Sequence, residues 1–358
     1  MTSRERVQML LRRELPDHMG LYEHMWPETI PQCWVNEGYP EGQPPEEVFD
    51  YDLRGAGGWL DSTPFPGVNE LVEETDEWRV SRDGRGATLK HWKNKSGTPQ
   101  HIGFTVTDPQ KWQEYKEPLL ATSRDRLGID TARADLEKVR AAGKFAFFGN
   151  LIFIELLRGM LGDLVWLPSL LTEKAWIHDI NRTFLDFFKR HYALLFAEVG
   201  VPDGMFMYDD MAFSNGPFAS PATMRELFLP YWRELNGFFH DYGLPVILHS
   251  CGDVRQLMPI IVEAEFDCLQ PMEAKAGNNV VEFAKEYGDK LAFMGNIDVT
   301  VLNTNDRAKV RAEIEGKLTA LKQLRAAYFF HSDHSIPPDV RYETYQYALE
   351  VYRELREY

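Results

Sequence analysis

The chain has 358 residues, 44% hydrophobic and 26% charged, a balance suited to a soluble globular protein of one large domain or two ordinary ones. Its net charge of -16 disfavours nucleic acid and anionic membranes as partners, since both reward surfaces rich in Lys and Arg. Three cysteines make a disulfide framework improbable and point to free thiols in a reducing cytoplasm; no apolar run is long enough for a bilayer, and Met1 to Arg6 is no signal peptide.

Residues 1–14 read as a short charged helix ended by Pro16. From there to about residue 115 the chain is irregular and rich in tryptophan, apart from Trp78 to Lys90, which alternates around Asp83-Gly84 as a β-hairpin would. The aromatic surplus here either lines a pocket for a flat ligand or packs a loop-rich cap. Beyond residue 120 short apolar runs (144–148, 204–208, 245–248, 266–270, 290–294 and 327–330) alternate with helical stretches such as Met224 to Tyr242 and Arg307 to Ala326. Fully apolar strands alternating with helices predict a parallel sheet covered by helices. Six such units are visible and the N-terminal part has room for two more. We therefore expect an α/β fold, a single (β/α)8 TIM barrel over 1–358, with residues 1–115 forming an aromatic-rich elaboration that contains the hairpin and the early strands. A doubly wound open sheet is the alternative.

The polar chemistry falls just beyond the strand ends: Gly149-Asn150, Asp209-Asp210, His249-Ser250-Cys251, Glu273, Gly295-Asn296-Ile297-Asp298 and His331-Ser332-Asp333-His334. Barrel enzymes build their active sites at that face. On an extended backbone His249 and Cys251 point the same way, and imidazole with thiolate is a donor pair that zinc favours. A catalytic zinc needs a third protein ligand, for which His334 is the first candidate and Asp333 or Glu273 hard-donor alternatives; Cys268 lies mid-strand. The plainer alternative makes His249 a hydrogen-bonded strand end and Cys251 a small buried hydrophobe. Of Asp209 and Asp210 only one can face the mouth, to orient a ligand imidazole or bind a polar substrate group; the other caps the following turn. Asn150, Asn296 and Asp298 are candidates for holding a cofactor, the latter two in a loop that either cradles an anion or merely makes a tight turn with Asp298 capping the next helix.

From about residue 200 onward the chain resembles the uroporphyrinogen decarboxylase superfamily. The resemblance rests on Asp209-Asp210-Met211, Phe218-Ala219-Ser220-Pro221, Leu229-Pro230-Tyr231, His249-Ser250-Cys251-Gly252-Asp253, Tyr287-Gly288-Asp289-Lys290, Met294-Gly295-Asn296-Ile297-Asp298 and Ile336-Pro337-Pro338, in that order. Upstream, Gly149-Asn150 and Leu156 to Gly162 also fit, so it covers the last two-thirds. It implies a (β/α)8 barrel and one of two chemistries. The decarboxylases are metal-free, act on a porphyrinogen with many carboxylates and carry an Arg-rich N-terminal signature. Here residues 20–29 hold no arginine and place Glu23 and Glu28 where guanidinium groups are needed. The other branch consists of zinc-dependent, corrinoid-linked methyltransferases in which a His-x-Cys and a later Cys hold the metal. The chain matches the His-x-Cys and has His334 or Asp333 where that later Cys stands.

The resemblance thus implies a zinc-dependent methyltransferase or demethylase, moving a methyl group between a small methylated substrate and a corrinoid (cobalamin) carried by a partner protein, or a thiol. It assigns His249, Cys251 and His334 to the metal, with Asp209, Asp210, Glu273 and Asp333 around the substrate. A homodimer is the default for this superfamily. The alternatives are a metal-free decarboxylase of a tetrapyrrole and a non-catalytic corrinoid- or tetrapyrrole-binding protein.

Overall fold

A computed structural model describes residues 1–94 and 98–358. Eight parallel strands form the central sheet: β1 (Gly20–Leu21), β2 (Leu53–Gly55), β3 (Phe145–Leu151), β4 (Gly204–Tyr208), β5 (Val246–Ser250), β6 (Cys268–Pro271), β7 (Ala292–Met294) and β8 (Tyr328–Phe330). Their spatial order, β1-β8-β7-β6-β5-β4-β3-β2, follows the chain around a (β/α)8 TIM barrel. Between β1 and β2 the ring is carried by Asp52, whose N–H donates to the Leu21 carbonyl at 2.8 Å while its carboxylate accepts from the Leu21 N–H at 2.8 Å. Buried Arg6, on the first helix (Ser3–Leu11), pairs with the same carboxylate at 2.8 Å.

β3 to β8 are buried on both faces, so they read in the sequence as unbroken apolar runs. β3 continues through Gly149 and Asn150, which are strand residues and not the start of a loop. The helix expected over Met224 to Tyr242 is two helices, Pro221–Leu227 and Leu229–Asp241. Pro230 explains the break: it has no N–H to continue the first helix and suits the first turn of the second.

The hairpin expected around Asp83-Gly84 is present, with Trp78 opposite Trp92 and Arg82 opposite Thr88. The Asp83 carboxylate accepts from the N–H groups of Arg85 and Ala87, closing the turn. It forms the centre of a four-stranded antiparallel sheet completed by Asn69–Glu74 and Gln100–Phe104. Asn69–Glu74 is exposed throughout and shows no alternation, which hid it in the sequence. Among the described residues no helix is long and apolar enough to cross a membrane.

Candidate metal centre at the barrel mouth

β5 ends in His249 and Ser250, and the chain then turns sharply at Gly252 (φ +80°), where a Cβ would lie 2.3 Å from the Ala212 carbonyl oxygen. The turn requires glycine, and it leaves His249 and Cys251 facing one cavity of about 190 Å³, lined also by His24, Trp26, Tyr208, Gln270 and His334. His249 Nε2 lies 3.5 Å from Cys251 Sγ and 3.7 Å from Asp210 Oδ1. Among the described residues, one group of three His, Cys or acidic side chains has donor atoms all within 4.8 Å of one another: Asp210, His249 and Cys251.

That spacing fits zinc. With Zn–N near 2.05 Å and Zn–S near 2.3 Å, a tetrahedral angle sets N and S about 3.5 Å apart. The His249 Nδ1 faces Gln270 Oε1 at 2.5 Å, a contact that a proton on Nδ1 satisfies, with Nε2 turned toward Cys251 and Asp210. Burial pushes the Cys251 thiol well above its ordinary value, and the carboxylates of Asp210 and Glu273 push it further; burial lowers His249. A divalent cation among these three donors reverses that balance, because it stabilises thiolate and neutral imidazole together.

The remaining candidates divide clearly. Asp210 accepts from the Cys251 N–H at 2.8 Å and lies 3.9 Å from Arg158, which also holds Glu155 at 2.7 Å. Asp209 points the other way: its fully buried carboxyl accepts from Trp232 Nε1 at 2.7 Å and from the Glu155 N–H at 3.1 Å. Burial holds its pKa far above the ordinary range. His334 lines the same cavity but stays outside the three-donor group, its ring stacked on Trp26 with centroids 5.8 Å apart. Glu273 accepts from the Gly252 N–H at 2.8 Å, bracing the turn behind Cys251. Asp333 accepts from the N–H groups of Ala274 and Val299 and so ties the loops after β6 and β7 together. Cys268 is buried in β6 and does not enter the group.

The three residues considered for cofactor binding all hold backbone. Asn296 accepts from the Val280 N–H and donates to the carbonyls of Met272 and Asn278. Asp298 caps the helix Val299–Leu302 through the Thr300 N–H at 2.8 Å. Asn150 donates to the Leu60 carbonyl at 3.0 Å. Sequence reasoning did not single out His24, Tyr208 or Gln270, which line the cavity; Glu23 and His331, named there only within their segments, lie buried behind them. Glu23 does not face the mouth, as the sequence suggested, but is buried and accepts from the Ser332 N–H and hydroxyl. His331 and Gln270 do stand at strand ends, which is a usable signal; His24 follows a strand of two residues that leaves no pattern to read.

The family model for uroporphyrinogen decarboxylase (URO-D) matches residues 165–355. Among solved structures the chain is similar to a methyltransferase from Methanosarcina mazei, with a TM-score of 0.69 and 14% identity over 99% of both chains. A weaker likeness, TM-score 0.37 and 11% identity over 63% of this chain and 38% of the other, is to an endo-beta-mannanase/endo-beta-glucanase from Prevotella bryantii. No curated protein sequence matches the chain.

Proposed function

The chain belongs to the uroporphyrinogen decarboxylase family, and on that premise we propose that it is a zinc-dependent methyltransferase or demethylase. In this reading it exchanges a methyl group between a small methylated molecule and a corrinoid on a partner protein. The observation that carries the reading is the convergence of Asp210, His249 and Cys251 on the C-terminal face of the barrel, their donor atoms within 4.8 Å of one another and the His249–Cys251 pair at the 3.5 Å that zinc sets between N and S. Asp210, His249 and Cys251 would hold a zinc ion, which would supply Lewis acidity to a heteroatom of the substrate.

The chain's own residues do the rest. Gln270 orients the His249 ring, and the Cys251 N–H fixes the Asp210 carboxylate. Trp26 and Tyr208 wall the cavity with apolar surface, and Tyr208 adds a hydroxyl 3.3 Å from His24 Nε2. The cavity of about 190 Å³ that His249 and Cys251 face admits one functional group of a substrate, and Asp210 also lines a wider cavity of about 850 Å³ with Glu155 and Arg158. The likeness to the Methanosarcina mazei methyltransferase supports this reading at the level of fold. Elemental analysis of protein purified without added metal is the test. One zinc per chain is expected, falling below a tenth in Cys251→Ala and reduced in Asp210→Asn. Metal-free wild-type protein, or zinc retained in Cys251→Ala, would refute the reading.

A further inference from the structure

Beyond the three donors lies a buried hydrogen-bonded chain that the proposed chemistry does not itself require. Its members are Ser332, His331, Gln270 and His249, from β8, β6 and β5 or the residues just after them. His249 and Gln270 are register partners on adjacent strands, so their side chains emerge side by side from the same face of the sheet. His331 is fully buried, and its Nδ1 lies 2.5 Å from the Ser332 carbonyl oxygen and 3.3 Å from Glu23 Oε1. Its Nε2 lies 3.1 Å from Gln270 Nε2, and Gln270 Oε1 lies 2.5 Å from His249 Nδ1.

One set of protons satisfies the contacts from Ser332 to His249. Two oxygens face His331 Nδ1, so Nδ1 carries the proton. The ring is neutral, since burial presses its pKa down to about 3, and Nε2 is therefore a bare acceptor. Gln270 must then turn its NH₂ toward His331 and its oxygen toward His249. The opposite amide orientation would set the Gln270 oxygen against the Nε2 lone pair. His249 in turn must carry its proton on Nδ1, which leaves Nε2 free toward Cys251 and Asp210. His24 borders this chain: its Nδ1 lies 3.1 Å from His331 Nε2 and 3.5 Å from Gln270 Nε2, so it shares the single His331 lone pair with the Gln270 amide, and its Nε2 lies 3.2 Å from the Tyr22 hydroxyl and 3.3 Å from that of Tyr208.

We infer that His331 and Gln270 are positioning residues that fix the His249 tautomer, so that a residue with no place among the metal donors decides whether His249 can bind the ion. The inference rests on the metal reading proposed above, but its central claim concerns the protein before any metal is added. Nitrogen-15 NMR of imidazole-labelled, metal-free wild-type protein should show His249 protonated at Nδ1. Gln270→Leu and His331→Leu should shift that population toward Nε2–H. Competition titration with Zn²⁺ should show affinity falling roughly 10- to 100-fold in both. Gln270→Glu should recover most of the loss, because a protonated carboxyl repeats the same donor and acceptor. The visible spectrum of Co²⁺-loaded protein should change in the Leu variants and return in Gln270→Glu. If the variants do not fold, the tautomer of metal-free wild-type protein decides: Nε2–H on His249 overturns the inference. An unchanged tautomer and unchanged Zn²⁺ affinity in a folded His331→Leu also overturns it. Wild-type protein that shows the Nδ1–H tautomer yet takes up no Zn²⁺ refutes the metal reading alone.

Discussion

At the scale of single residues the site depends on burial that makes charge costly unless it is matched. Glu23 shows this away from the metal donors. Its carboxyl is enclosed by the barrel, and although the N–H groups of Ser332 and His24 and the Ser332 hydroxyl favour the anion, burial dominates and raises its pKa to about 8. An acid whose pKa is higher folded than unfolded binds its proton more tightly in the fold. Its contribution is therefore fully present below about 4.5, the unfolded value, and is lost as pH rises through about 8. Each pK unit is worth about 1.4 kcal/mol, so the full shift amounts to a few kcal/mol. Glu23→Gln removes the titration and keeps the shape. Thermal melts at pH 5 and pH 8 should show the wild-type melting temperature falling by several degrees more than the variant's. Parallel behaviour of the two proteins would mean that Glu23 is ionised in the fold at neutral pH.

At the scale of elements, the strands supply the apolar interior and, at their C-terminal ends, His249, Gln270 and Tyr208, and the turns after them place Cys251 and Asp210. The turn after β5 shows how tightly one is built. Gly252 has φ +80°, its N–H is held by Glu273, and an added Cβ would meet the Ala212 backbone at 2.3 Å, where no flexible side chain can yield. Gly252→Ala should destabilise the protein by about 1–3 kcal/mol and weaken zinc uptake, because Cys251 moves with the turn. Gly237 is the internal control. It sits within the helix Leu229–Asp241 with no atom within 4 Å of the Cβ position, so Gly237→Ala should stabilise by about 0.4–1 kcal/mol. Denaturant unfolding of both variants checks the pair, and equal effects of the same sign would show that the turn tolerates a side chain. What was legible in the sequence follows the same division. Phe145 to Phe148 and Val246 to Leu248 announced their strands because both faces are buried, whereas Gly20–Leu21 and Leu53–Gly55 are too short to form a run. His249 and Cys251 were legible as a pair because two residues of extended chain fix their common direction. Whether Asp210, His334 or Asp333 stood beside them was not, because that depends on how loops from different strands turn. Trp26 receives the His334 ring, Ala274 and Val299 occupy Asp333, and Trp232 draws Asp209 away and leaves Asp210.

For the whole molecule the question is whether the proposed metal builds the fold or only uses it. A zinc finger has no core without its ion, but here the apolar interior of the barrel is continuous from Val7 to Tyr352 and does not depend on the three donors. The loops around the site are also tied independently of any ion, through Asn296, Asp333 and Glu273. Zinc should therefore stabilise by mass action alone. An ion bound only by the folded state contributes about 2.7 kcal/mol at a free concentration one hundred times its Kd. The unfolding entropy of about 2.1 cal/mol/K per residue gives about 0.75 kcal/mol/K for a chain of 358 residues, so that contribution raises the melting temperature by roughly 4 °C. Chelation should lower the melting temperature by a few degrees and leave the far-ultraviolet circular dichroism spectrum intact, and re-addition of zinc should restore it. Cys251→Ala should show neither the fall nor the recovery. Loss of secondary structure on chelation would make the metal structural and place the chain's chemistry elsewhere. No shift in wild-type protein carrying stoichiometric zinc would mean that the ion binds the unfolded chain as well as the native one. The acidity of the molecule favours the experiment, since a net charge of -16 draws divalent cations toward a mouth that already presents Asp210.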